Sequence, residues 1–143
     1  MAKDTSEALI AGLNRDLTRE YAAVIMYRTY ASMVRGPFRQ ELRGFFTVEI
    51  ADELAHAQTL ADKIVSLGGT PDVTSGPVKV TDDVVQMLQN ALDDEVETVD
   101  RYVERRRQAE SLGEHGLAID LDDLIADETR HRDELRLMLQ RWK

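Results

Sequence analysis

The sequence predicts an all-α protein, a four-helix bundle whose second and third helices are joined by one long crossover. Three observations predict it. Apolar residues recur at helical spacing in four long segments. All three prolines and most of the glycines fall between those segments. The two halves also repeat one pattern: a lone glutamate (Glu20, Glu95), then Glu-x-x-His 33 residues later (Glu53/His56, Glu128/His131).

The first helix is expected from about Thr5 to Val34, with Thr5 or Ser6 as its N-cap and Arg35-Gly36-Pro37 as its stop. Its apolar stripe is Leu9, Leu13, Leu17, Val24, Ala31 and Val34, and Glu20 and Tyr27 lie in that stripe. The second runs from about Phe38 to Leu67, with Leu42, Phe46, Leu60, Ile64 and Leu67 in register with Glu53 and His56, and Gly68-Gly69-Thr70-Pro71 ends it. The segment Gly68 to Val80 holds three glycines and two prolines and is too long for a tight turn, so it reads as an extended crossover. A third helix follows the cap Thr81, with Asp82 and Asp83 at its positive end, and reaches about Glu110. Its stripe is Val84, Leu88, Leu92, Val99 and Tyr102, with Glu95 at the centre. Ser111 to Gly116 forms a second short turn, and the fourth helix runs from there to about Arg141. Its stripe is Leu117, Leu121, Leu124, Ile125, Leu135 and Met138, with Glu128 and His131 between. Two helical hairpins joined by one long connection differ from a simple up-down bundle.

Each helix therefore carries an acid near the middle of its oily face. An unpaired buried carboxylate is costly, and four together repel each other. No Lys or Arg stands on those stripes to neutralise them. Two divalent cations would cancel four negative charges, and carboxylates with imidazoles are the donors that hold paired iron or manganese in helical bundles. The metal-ligand candidates are thus Glu20, Glu53, His56, Glu95, Glu128 and His131. Glu97 is passed over because its stripe, Asn90, Asp94, Arg101 and Glu104, reads as a solvated face. Asp93, Asp94, Asp122 and Asp123 read as surface charge.

Composition narrows the classes. The chain has 143 residues, enough for one domain (1–143) with a sizeable core. A net charge of −9 argues against nucleic acid or an anionic membrane as partner. The absence of cysteine removes disulfides, thiolate catalysis and thiolate-built metal sites. No stretch approaches a membrane span, and the N-terminal residues lack a signal-peptide core, so a cytoplasmic location is expected.

The chain resembles the ferritin-like superfamily, and bacterioferritin most closely, from Leu13 to Trp142. The residues that carry the likeness are Glu20 with Tyr27 after it, Asp52-Glu53-x-x-His56, Leu67-Gly-Gly-x-Pro71, Met87-Leu88 ahead of Glu95, and Asp127-Glu128-x-x-His131. The resemblance implies a ferritin-like bundle with a dinuclear iron site inside one subunit. Glu20 and His56 would be terminal ligands of one iron, Glu95 and His131 of the other, and Glu53 and Glu128 would bridge. It implies a ferroxidase, oxidising ferrous iron with dioxygen or peroxide for storage or detoxification, in a homo-oligomer. The alternative is a peroxide-scavenging diiron or dimanganese protein, rubrerythrin-like or catalase-like, that stores no mineral. Iron and manganese both suit the ligand set. Leu54 stands where haem-binding members carry the haem-ligating methionine, which argues against haem. The sequence ends at Lys143, without the short fifth helix of some large family shells, which leaves a 24-subunit cage, a smaller shell and a dimer open. Thr98 stands where rubrerythrins carry an additional glutamate.

Tyr27 is expected to pack in the core and hydrogen-bond a ligand carboxylate, with one-electron donation to the iron site as the sharper alternative. Glu49, one turn before Glu53, and Asp52 are expected at a solvated acidic rim, with an accessory iron site as the alternative. His115 reads as a surface histidine in the last turn. Met26, Met33, Met87 and Met138 read as core filler. Trp142 reads as packing at a helix end or a subunit contact.

Overall fold

A computed structural model describes residues 4–140 and 142. Among them stand four α-helices and no strand: α1 (Ser6–Met33), α2 (Arg39–Ser66), α3 (Val84–Ser111) and α4 (His115–Leu139). α1 packs mainly on α2 and α3 on α4, and the two hairpins meet chiefly through α1 and α3. The expected connectivity, two hairpins joined by a long crossover, is the one observed.

The helix ends follow from local chemistry. Thr5 caps α1, its hydroxyl accepting from Ala8 N–H at 3.0 Å. α2 ends where Gly68 takes a φ of 90°. Gly68 N–H then bonds Val65 O at 3.0 Å and Gly69 N–H bonds Ile64 O at 2.9 Å, which satisfies the last carbonyls. α3 ends in the same way at Gly113, with Glu114 N–H on Ala109 O at 2.8 Å.

Two boundaries differ from expectation. Asp83, not Thr81, caps α3, its carboxylate accepting from Val85 N–H at 3.2 Å, while the Thr81 hydroxyl accepts from Asp83 N–H. A charged carboxylate suits the positive helix end better than a hydroxyl. α4 begins at His115, inside the segment expected as turn, because Lys63 holds Glu114 at 2.6 Å in the N-cap position. His115 is exposed, as expected, and Arg141, the expected end of the fourth helix, lies outside the described residues.

The crossover is extended and lies along α1. Asn14 bonds it twice, donating to Thr70 O and accepting from Asp72 N–H, and Gly76 N–H bonds Thr18 O at 2.9 Å. Tyr30 Oη donates to Lys79 O at 2.6 Å and accepts from Asn90 Nδ2 at 3.0 Å. That second bond explains why Asn90 is buried rather than on a solvated stripe.

The apolar core is split in two. One cluster holds Leu9, Leu13, Leu17, Leu60, Ile64 and Leu121, and the other Met26, Tyr30, Phe46, Met87, Leu88 and Leu135. Met26 and Met87 are core filler, as expected, and Met33 and Met138 are half-buried. Trp142 packs edge-on to Phe38 at 5.6 Å, at the end of the bundle.

Arg105, which is not among the residues of the expected stripes, is buried. It does not neutralise the four acids. Its Nε donates to the buried Asp16 at 2.7 Å, and its Nη1 donates to Gln108. Gly12 leaves the room for it, since a Cβ there would collide with the guanidinium. Gly12→Ala should therefore lower thermal stability by about 2 kcal/mol through overpacking. Arg105→Ala should cost more, about 3 kcal/mol, by leaving the buried Asp16 with only the longer Arg101 contact of 3.6 Å. Melting curves check both, and a Gly12→Ala protein that melts like wild type would show that the guanidinium moves aside at no cost.

Candidate metal centre

The layer between the two apolar clusters is polar and buried. Glu20, Glu53, Glu95 and Glu128 are each at most 2% exposed, His56 is 2% and His131 9% exposed. The six residues predicted from sequence are thus brought together, one acid or one Glu/His pair from each helix.

They form two overlapping groups. Donor atoms of Glu20, Glu53, His56 and Glu128 lie within 4.8 Å of one another, and so do those of Glu49, Glu53, Glu95 and His131. Glu53 is common to both. His56 Nδ1 is 2.7 Å from Glu128 Oε1 and 4.0 Å from both Glu20 Oε2 and Glu53 Oε2. His131 Nδ1 is 2.7 Å from Glu49 Oε2, 3.6 Å from Glu53 Oε1, 3.7 Å from Glu95 Oε1 and 3.9 Å from Glu128 Oε1. The rings stack with centroids 6.5 Å apart.

The arrangement repeats with an offset of 75 residues, which pairs Glu20 with Glu95, Tyr27 with Tyr102, Asp52 with Asp127, Glu53 with Glu128, and His56 with His131. The supporting contacts follow this symmetry and cross it. Tyr27 Oη donates to Glu95 Oε1 at 2.6 Å, and Tyr102 Oη donates to Glu20 Oε1. Asp127 Oδ2 accepts from His56 Nε2 at 3.2 Å, and Asp52 Oδ2 from His131 Nε2 at 3.1 Å. Each Nε2 is engaged by a carboxylate, so each Nδ1 is left facing the buried acids. Tyr27 has the expected hydrogen bond. Tyr102 was expected only as part of the apolar stripe of α3; its position 75 residues after Tyr27 is the signal that marks it.

Glu49 departs from expectation. It is 3% exposed and faces the cluster, not a solvated rim. One turn before Glu53, it shares that residue's inward face. Its symmetry counterpart is Leu124, a buried apolar residue, so the two groups are chemically unequal.

The donor set fits a metal pair on its own geometry. Glu20 Oε2, Glu49 Oε2, Glu53 Oε1, Glu95 Oε2, Glu128 Oε1 and both Nδ1 atoms are buried with no hydrogen-bond partner. Buried polar atoms are seldom left so, and seven such atoms in one layer suit a third party that binds once they are deprotonated. Glu20, Glu49 and Glu53 also resist ionisation. Burial, then the Glu53 charge, holds Glu20 well above the usual carboxylate range. Burial raises Glu49, and it lifts Glu53 to about 7, with the Glu95 charge adding to it. Burial works against the His131 cation, but Glu49, Glu53 and Glu95 outweigh it and hold its pKa far above the ordinary value. Tyr27 and Tyr102 are pushed up by burial and by the neighbouring acids, so both keep the protons they donate.

The chain as a whole is similar to known proteins. A family model described as a ferritin-like domain matches residues 10–143. The chain is 31% identical over 135 residues to a bacterioferritin of Streptomyces coelicolor, covering 92% of this chain and 79% of that protein. A solved structure described as that of ferritin-like, diiron-carboxylate proteins from Bacillus anthracis str. Ames superposes with a TM-score of 0.94 at 47% identity, covering 98% of this chain and all of that one. A Dps protein of Bacillus brevis shares the fold, with a TM-score of 0.89 at 21% identity over 98% of this chain and all of that one.

Proposed function

We propose, from the premise that this chain belongs to the ferritin-like domain family, that it oxidises ferrous iron at a dinuclear centre held inside one subunit. The observation that carries this reading is the pair of overlapping donor groups sharing Glu53, with their unpartnered buried oxygens and imidazole nitrogens. The likeness to a bacterioferritin and to a diiron-carboxylate structure supports iron as the metal.

In this reading Glu20 and His56 hold one ion, and Glu95 and His131 the other. Glu53 and Glu128 stand between them, and Glu49 adds a carboxylate on the His131 side. Iron supplies the electrons: two ferrous ions give up one each, and dioxygen with two protons becomes hydrogen peroxide, or peroxide with two protons becomes two waters.

The chain does the rest. Five inward carboxylates offset the charge of two metal ions, and the mixture of carboxylate and imidazole suits both oxidation states. Asp127 and Asp52 hold the two rings with Nδ1 inward. Tyr102 and Tyr27 each occupy one oxygen of Glu20 and Glu95, which leaves the other oxygen to the metal. The flanking apolar clusters close the ends of the layer to bulk water. Tyr27 is assigned to orientation of Glu95, on its hydrogen bond.

Light scattering on protein given ferrous iron under air, with iron counted per subunit, tests the reading. Rapid uptake of many irons per chain in a large shell would establish storage. Uptake stopping near two per chain in a smaller assembly, with continued turnover of peroxide, would make the centre a fixed cofactor of a peroxide-reducing protein. No uptake and no oxidation would refute the proposal.

A further inference from the structure

On the side of the bundle covered by the crossover, between α1 and α3, a cavity of about 20 Å³ lies beside Glu53 and Glu95. That is room for one water-sized molecule. Its walls are the small side chains Ala22 and Ala23 of α1, Thr98 of α3 and Pro77 of the crossover. The bond from Gly76 N–H to Thr18 O pins the crossover over this seam. Of the two buried acids that line the cavity, Glu95 belongs to the His131 group alone and Glu53 to both groups, and Glu53 Oε1 and Glu95 Oε2 are buried without hydrogen-bond partners.

The outer lining is formed by longer side chains. Arg19 and Glu97 are exposed, and Arg101 and Asp94 half-buried. Arg101 is held in place: Nη2 donates to Thr98 Oγ1 at 2.9 Å, Nε lies 3.6 Å from Asp16, and Nη1 lies 3.8 Å from Glu97. A divalent ion in water carries a shell of several waters that it sheds reluctantly. The space takes one molecule of that size, so a hydrated cation does not fit it. A small uncharged molecule carries no such shell.

We propose that this cavity admits and seats the oxidant, dioxygen or hydrogen peroxide, beside the ion held by Glu95 and His131, on a face apart from the histidines of α2 and α4. The assignment rests on the dinuclear reading above. Delivery would then be one-sided: the oxidant would arrive beside Glu95, on the His131 side, with Glu53 shared between the two donor groups.

Filling the cavity tests it. Ala23→Leu should leave anaerobic cobalt(II) binding unchanged in affinity and stoichiometry. It should slow both the association of nitric oxide with the ferrous-loaded protein and oxidation by dioxygen by at least about tenfold, a barrier increase of 1.4 kcal/mol. Thr98→Ala, which widens the cavity, should speed nitric oxide association. An Ala23→Leu protein that binds cobalt(II) and takes up nitric oxide at the wild-type rate overturns the proposal. If that variant fails to fold, Thr98→Ala decides: faster association supports the cavity, and an unchanged rate overturns it. Wild-type protein that binds no cobalt(II) would remove the dinuclear reading itself, and this proposal with it.

Discussion

Glu128→Ala and Glu20→Ala should each slow rapid ferrous oxidation by at least about 100-fold, the upper end of what loss of even an outer partner costs a metal site. Both residues sit in the group built around His56, and each offers a buried oxygen with no other partner. Neither supports a helix end or an apolar contact on which the bundle depends, so the helical circular dichroism should be unchanged. Metal-induced stabilisation should vanish with the activity. A saturating ion at 100 times its dissociation constant stabilises the native state by about 2.7 kcal/mol, which the variants lose. Glu49→Leu is the graded case. It installs the residue found at the counterpart position, Leu124, and should weaken the ion on the His131 side while sparing the other. Stopped-flow oxidation with cobalt(II) titration separates these outcomes. Wild-type oxidation rates in both alanine variants would show that the site lies elsewhere.

Stripped of metal by a chelator, the protein should lose stability as pH rises, and the metal-loaded protein should gain it. The sign follows from two groups. A carboxyl whose folded pKa exceeds its unfolded value binds its proton more tightly when folded. Its contribution is present below the unfolded value, about 4.3, and is lost as pH rises to the folded one, about 7 for Glu53. The raised pKa of His131 acts in the same direction, stabilising below about 6.5 and fading as pH climbs above it. Each unit of displacement is worth about 1.4 kcal/mol, so the metal-free protein should melt several degrees lower at about pH 8 than at about pH 5.5. Metals require the deprotonated ligands, so their affinity rises over the same range and they release protons on binding. Melting curves with chelator and with cobalt(II) at both pH values check it. A metal-free melting temperature that rises with pH would mean that the buried acids are not holding protons.

Much of this was legible in one dimension. The four stripes, the glycine and proline stops and the long crossover follow from local propensity and periodicity, which act within a few residues. So does the meeting of Glu20, Glu53, His56, Glu95, Glu128 and His131 in one layer, because residues at the centre of four oily faces converge when the helices pack. The sequence alone also determined that Glu95, and not Glu97, faces inward; Glu97 is exposed in the structure.

Tertiary packing decided the rest. Whether Glu49 faces water or the acid cluster depends on where α2 sits against α4, and its spacing from Glu53 is compatible with either. Arg105 and Asp16, 89 residues apart, become a buried pair only when α3 crosses α1 at Gly12. Asn90 leaves its expected solvated stripe because Tyr30 and the crossover close over it. The crossed contacts of Asp52 with His131, Asp127 with His56, Tyr27 with Glu95 and Tyr102 with Glu20 join opposite halves of the chain, as does the cavity between α1 and α3. Periodicity reports which way a side chain faces from its own helix, while the partner it meets is set by helix docking, a long-range event whose energy is shared among all four elements.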